Sequence, residues 1–379
     1  MLAPSARRIG LASVAALACA SALVPAAASA KVKAHAAQAA GGVASSTPTL
    51  TAAALDAGKA KFGANATTAQ SLAAYWTPAR MAAAKSIDTA PFLSTALQKF
   101  KLTQANRLRT VQAQGTDAQQ APAAGPAFSM APDSTSKIAA KPVASAAAYN
   151  PNFNYWQPTA YTNGKVFFNM AGGSYQCSAT IVNSEGKDTV WTAGHCVNQG
   201  NGGPWATNWT FVPAYDTDLA NPAPYGYWYA SQLWSRSAWI SSQDFTQDMG
   251  VAIMAPRNGS KIVAYFGGQG FRANAGKNVW ENTFGYPAES PFDGGHLQEC
   301  WGTTSPESSF LWWSSDTLKI SCDMTRGESG GPWLNGWDGN WGYLNGVNSR
   351  IDQIVGPTVT FSPYFDDDAL SLYNATRYL

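Results

Sequence analysis

Past residue 150 the chain keeps to no pattern for long. Short apolar or aromatic runs alternate with clusters of Gly, Pro, Asn and Ser: Lys165–Met170, Ser178–Val182, Thr189–Thr192, Gly250–Met254, Lys261–Phe266 and Leu344–Val347. Runs of four to six residues bounded by turn formers read as strands, and their spacing predicts an all-β sandwich or a pair of barrels. Helical character is missing until Asp366–Tyr378. There three acidic residues open the segment and Arg377 falls near its end, the polarity a helix dipole favours.

The preceding residues are of another kind. Only Trp76 of the 15 tryptophans lies before residue 150, and Ala, Gln, Thr and Ser crowd this part. Residues 1–150 carry a net charge of +10 and residues 151–379 one of −8, so the overall +2 is a cancellation. With 13% charged residues the chain is neither a disordered tail nor a highly charged nucleic-acid binder. Arg7 and Arg8, the apolar stretch Ile9–Val24 and the small residues Ala28, Ser29 and Ala30 read as a secretory signal peptide over 1–30, hence a secreted, extracellular protein. Nothing later reaches about 18 uninterrupted apolar residues, so no membrane anchor is expected. Residues 31–149 read as a pro-segment or linker outside the β-rich core, partly helical, a span such as Phe92–Val111 being able to form helices with modest apolar faces. Its charge of +8 opposes the −8 of residues 150–379. Opposite fields favour docking, as expected of an intramolecular inhibitor or chaperone.

Once a signal is removed, Cys177, Cys196, Cys300 and Cys322 remain, an even number that implies two disulfides in an exported domain. Nearest-neighbour pairing joins Cys177 to Cys196 and Cys300 to Cys322; two other pairings are formally open. Zinc ligation lacks a paired C-x-x-C spacing, and no cluster argues for a metal, nucleotide or redox cofactor, so none is expected. The many aromatics read as core filling, with a sugar-binding platform as the lesser alternative.

Two short motifs carry chemistry. Thr192-Ala193-Gly194-His195-Cys196 ends an apolar run in a histidine whose backbone the neighbouring cysteine can pin. Gly327-Glu328-Ser329-Gly330-Gly331-Pro332 sets a serine among glycines, which let the backbone turn sharply and bring the Gly327 and Ser329 N–H groups to one point for a developing oxyanion. A serine nucleophile needs a proton acceptor, and a histidine held in one tautomer is the usual one.

Together these motifs resemble the trypsin/chymotrypsin-like serine endopeptidases, in particular secreted microbial members of the V8 and glutamyl-endopeptidase branch. The resemblance covers roughly residues 155–379. It implies two six-stranded antiparallel β-barrels with a C-terminal helix, a peptide or protein substrate, and a monomer. The family's histidine falls on His195, its aspartate on Asp248 in Asp248-Met249-Gly250-Val251-Ala252-Ile253, and its serine on Ser329. His296 and Asp244 are the competitors for the first two roles. Where the family usually has aspartate before the serine, this chain has Glu328, and no Ile-Val-Gly-Gly start lies near residue 150. The resemblance also offers Asp323, Arg326, Asn348, Ser349 and Arg350 as substrate-binding residues without fixing which side chain is read. Two function classes follow, a serine endopeptidase, with an esterase as its variant, and a catalytically inactive binding protein on the same fold.

Overall fold

The computed structural model describes residues 42–114, 125–138, 153–307, 316–352 and 358–379. The signal peptide expected over 1–30 and the boundary expected near 149 lie outside the described residues.

Before residue 150 the elements are β1 (Val43–Ser46), α1 (Ala52–Phe62), α2 (Thr68–Tyr75), α3 (Pro78–Ala83), β2 (Lys85–Ser86), a 3-10 turn at Ile87–Thr89, α4 (Pro91–Gln114) and β3 (Phe128–Met130). Threonine caps begin α1, α2 and α3: Thr51, Thr67 and Thr77 each accept the backbone N–H three residues on. Helix α4 contains the predicted Phe92–Val111 helix.

After α5 (Pro158–Thr162), six strands follow: β4 (Asn163–Met170), β5 (Gly173–Ile181), β6 (Thr189–Thr192), β7 (Thr207–Pro213), β8 (Trp228–Arg236) and, after the short helix α6 (Ser237–Ser242), β9 (Gly250–Met254). They pair antiparallel in the order β7-β4-β5-β6-β9-β8, and β8 returns to β7, closing a six-stranded barrel. Closure leaves no free lateral edge in the ring, and Val166, Ile181, Val190, Phe211, Leu233 and Ala252 are fully buried on it.

The second half contains α7 (Ile262–Phe266) and the strands β10 (Gly270–Ala273), β11 (Trp280–Gly285), β12 (Gln298–Thr303), β13 (Ser305–Pro306), β14 (Thr317–Ser321), β15 (Pro332–Asn335), β16 (Tyr343–Val347), β17 (Arg350–Asp352) and β18 (Val359–Pro363). Among the described residues these divide into a sheet β12-β11-β15-β16-β10 and a four-stranded sheet β13-β14-β18-β17. The run Lys261–Phe266, read above as a strand, is instead the short helix α7. It buries Ile262, Val263 and Phe266, an i, i+1, i+4 set, and Gly267 ends it at φ +77°. The C-terminal helix α8 (Asp367–Thr376) starts on the cap Asp366. Its Tyr373 stacks on Phe271 of β10 at 4.2 Å, beside Trp191 of β6, so this helix seals the seam between the two halves.

The segment before residue 150 corrects one expectation: it is built into the sheets. Strand β1 extends β8, β2 pairs in parallel with Tyr175 and Gln176 of β5, and β3 pairs with β10. Trp76 is buried and donates its indole N–H to the Asn208 carbonyl. Leu93 and Ala96 of α4 pack with Trp239 and Phe245. Lys101 pairs with Asp352 at 3.5 Å, a cation of this segment on an acid of the domain. Apolar burial and backbone pairing thus dominate a docking that charge alone had suggested. The disulfides join Cys177 to Cys196 and Cys300 to Cys322. Loops of 19 and 22 residues make each worth roughly 3 kcal/mol in the chain-entropy account.

Candidate active site

The 3-10 turn Gly194–Cys196 follows β6 and carries His195, which is fully buried. Its backbone is tied down by the disulfide of Cys196 to β5 and by the indole of Trp209, which donates to the Cys196 carbonyl at 3.0 Å. Asp248 ends the turn before β9 and is also fully buried. Its Oδ1 accepts the backbone N–H of His195 at 2.8 Å and its Oδ2 meets His195 Nδ1 at 2.7 Å. The same Oδ2 accepts the Ser349 hydroxyl at 2.6 Å. With Nδ1 bound to a carboxylate, the proton of the neutral imidazole resides on Nδ1 and Nε2 is the basic nitrogen. Burial by itself would lower the His195 pKa, but the charge and hydrogen bond of Asp248, with a smaller contribution from Asp88, raise it above the ordinary 6.5.

Ser329 lies across the interface between the halves. Its carbonyl accepts Ser178 N of β5 at 2.7 Å, while Gly330 N donates to the Asn348 carbonyl and Asn348 N to that of Gly331. The Ser178 hydroxyl reaches the Gly327 carbonyl at 3.1 Å. The loop therefore hangs between the first barrel and β16. Gly327 has φ +109° and Gly330 φ +81°, and a Cβ on Gly330 would fall 2.0 Å from Thr192 Oγ1, so neither position admits a side chain cheaply.

One residue here went unmarked in the sequence. Asp88, in the 3-10 turn before α4, is 13% exposed in its side chain and reaches all three groups of the site. Its Oδ1 accepts the Ser329 hydroxyl at 2.7 Å and lies 3.8 Å from His195 Nε2; its Oδ2 accepts Gly327 N at 3.1 Å. Accordingly, Nε2 has no hydrogen-bond partner among the described residues.

The competitors have other partners. Asp244 caps the turn at Phe245–Gln247 through Thr246. His296 faces Asp216, Asp218 and Asp293. Of the residues offered as substrate-binding, Asn348 is buried with every side-chain polar atom engaged internally: Oδ1 accepts from Thr283 and Trp333, Nδ2 donates to the Phe284 and Glu328 carbonyls. It braces the serine loop instead of facing a ligand. Arg350 is buried, ion-paired to Glu307 and stacked on Phe361. Its charge is thereby spent inside the fold. Asp323 is exposed, and Arg326 pairs with Glu289 at 3.1 Å. Leu93 and Leu97 of α4, with Asp88 and Phe245, line the cleft in front of the site, and of the residues offered as substrate-binding Arg326, Ser349 and Arg350 also line it.

Glu328 is buried behind the serine loop. One carboxyl oxygen accepts the Thr360 hydroxyl at 3.0 Å and the other has no partner among the described residues. Burial first, then the charges of Asp88 and Asp323, push its pKa up to about 8 against the hydrogen bond from Thr360, so it is a neutral acid at pH 7. A protonated carboxyl needs no cation beside it. The methylene that distinguishes it from aspartate is accommodated behind the loop, with Gly327 N still turned towards the cleft.

No family model matches the chain, and no curated protein matches it either. Solved structures do. The thermostable serine protease AL20 from an extremophilic microorganism is 36% identical, with a TM-score of 0.53 over 58% of this chain and 98% of that one. The protease Anisep from Arthrobacter nicotinovorans is 38% identical, with a TM-score of 0.53 over 58% and 97%. A Glu endopeptidase structure is similar at 16% identity and a TM-score of 0.46. About two fifths of the present chain is additional to what it shares with these proteins. With nearly the whole length of two proteases matched at more than a third identity, the chain belongs to the trypsin/chymotrypsin-like serine proteases.

Proposed function

We propose that the chain is the precursor of a secreted serine endopeptidase, made with a pro-segment that is later removed, in which Ser329 is the nucleophile, His195 the general base and Asp248 its orienting acid. The observation that carries this reading is the Asp248 carboxylate holding both the backbone and Nδ1 of a buried His195, at 2.8 and 2.7 Å, with Nε2 3.8 Å from the Asp88 oxygen that accepts the Ser329 hydroxyl. In the reaction Nε2 takes the Ser329 proton as Oγ adds to a peptide carbonyl, and the negative charge of Asp248 stabilises the imidazolium. The new oxyanion lies against Gly327 N–H and Ser329 N–H. The imidazolium then protonates the leaving amine, and water repeats the sequence on the acyl-enzyme. Two disulfides accord with an exported protein.

The test is a serine-directed fluorophosphonate on the protein after removal of the pro-segment. Labelling should occur at Ser329 and vanish in Ser329→Ala, with kcat/KM on peptides lower by several orders of magnitude. kcat/KM should rise with pH as His195 loses its proton. A folded, trimmed protein that leaves Ser329 unlabelled would instead be the inactive binding protein.

A further inference from the structure

We propose that Asp88 is the lock of the precursor, a side-chain carboxylate that imitates the oxyanion and holds the nucleophile. The inference rests on the reading of Ser329 as that nucleophile and names the residue and chemistry that keep it silent. One Asp88 oxygen sits on Gly327 N, the donor that would meet a developing oxyanion, and the other holds the Ser329 hydroxyl. The serine proton is thus directed at a carboxylate and away from His195 Nε2. Asp88 is held on both sides. Ser86 donates its hydroxyl to Asp88 Oδ2 at 2.8 Å, β2 is paired to β5, and Ile87 and Ala90 are buried. Only four carboxylates occur between residues 31 and 149, in a segment of net charge +8, and one of them occupies this place.

A carboxylate suits the task because it resists the chemistry it blocks. Its two oxygens share a negative charge that makes the carbon a poor electrophile, and it has no amine to expel, so Ser329 has nothing to attack. Being covalently part of the chain, it meets the site at the high effective concentration of an intramolecular ligand, and the lock ends when cleavage releases the segment. Helix α4 reinforces it sterically, since Leu93 and Leu97 line the cleft in front.

The experiment follows fluorophosphonate labelling of the intact precursor by mass, so that trimming is seen directly. The wild-type precursor should label slowly, and Asp88→Asn and Asp88→Ala should label roughly ten- to a hundredfold faster at unchanged mass, the loss of charge-assisted hydrogen bonds. Ser86→Ala, which only removes a donor to the carboxylate, should give a smaller acceleration, and it serves if a change at Asp88 prevents folding. Equal rates in the wild type and these variants, with the trimmed protein labelling well, would overturn the lock alone. If the trimmed protein also failed to label, the assignment of Ser329 would fall with it.

Discussion

Asparagine in place of Asp248 is expected to lower kcat/KM of the processed protein by roughly four orders of magnitude while leaving the fold in place. The reason lies in what the carboxylate accepts. Asp248 has three donors on two oxygens: His195 N, His195 Nδ1 and the Ser349 hydroxyl. An amide has one oxygen. If that oxygen keeps the backbone N–H of His195, its NH2 group faces Nδ1, and the imidazole must move its proton to Nε2 to accept. The nitrogen that should take the serine proton then already carries one. The same change removes the charge that raises the His195 pKa, leaving burial to lower it. Peptide kinetics, fluorophosphonate labelling and thermal unfolding of one preparation separate these effects: the first two should fall together while the melting temperature moves little. A loss of less than tenfold would show that Asp248 does not orient the base.

The contrast between Asp248 and Asp88 marks how much was legible in the sequence. Asp248 could be singled out because it precedes a buried apolar strand, and His195 and Ser329 because each sits in a local pattern that constrains its backbone; the structure brings Asp248 against His195. Four of the six strands of the first barrel, β4, β5, β6 and β9, declared themselves as apolar runs, whereas β7 and β8 were not among the runs read. Asp88 had no such signal. It lies in a 3-10 turn directly after a two-residue strand whose position is fixed by pairing with Tyr175 and Gln176, far away in the chain. Strands as short as β1, β2 and β3 have too few residues for alternation to show, so partner edges decide them. Lys261–Phe266 erred in the opposite way, its apolar run being too short to distinguish strand from helix. For Asn348 and Arg350 the residue type suggested recognition, but composition does not say which way a side chain points: Asn348 turns into the fold, and Arg350, though it lines the cleft, spends its charge on Glu307. The opposed charges of the two parts suggested docking, but Lys101–Asp352 follows that polarity while Lys187–Asp133 reverses it, and the interface is held mainly by Trp76, Leu93, Ala96 and short backbone ladders.

Glu328→Gln is expected to make both stability and activity less sensitive to alkali. In the folded chain this carboxyl titrates at about 8, against an ordinary 4.5. A group whose pKa is raised by folding contributes its full stability below the unfolded value and loses it as pH climbs through the folded one. The window is therefore from about pH 4.5 to just above 8. Each pH unit within it corresponds to about 1.4 kcal/mol, so the total is on the order of several kcal/mol. Glu281, also pushed up to about 8 by burial, contributes a similar slope to both proteins, and their difference isolates residue 328. Glutamine keeps the shape and an oxygen for Thr360, and its amide takes the place of the partnerless protonated oxygen. Thermal unfolding at pH 5, 7 and 9 should then give similar midpoints at pH 5 and a higher one for the variant at pH 9. Activity has a parallel reason to fail in the wild type, because an ionised Glu328 must seek water or a cation and would pull on the loop that presents Gly327 N and Ser329. If the proposed pro-segment is removed, Asp88, one of the two charges that raise the Glu328 pKa, goes with it, so the alkaline loss should begin at lower pH in the processed protein than in the precursor. Parallel pH curves for wild type and variant would mean that Glu328 is already ionised and compensated in the folded protein.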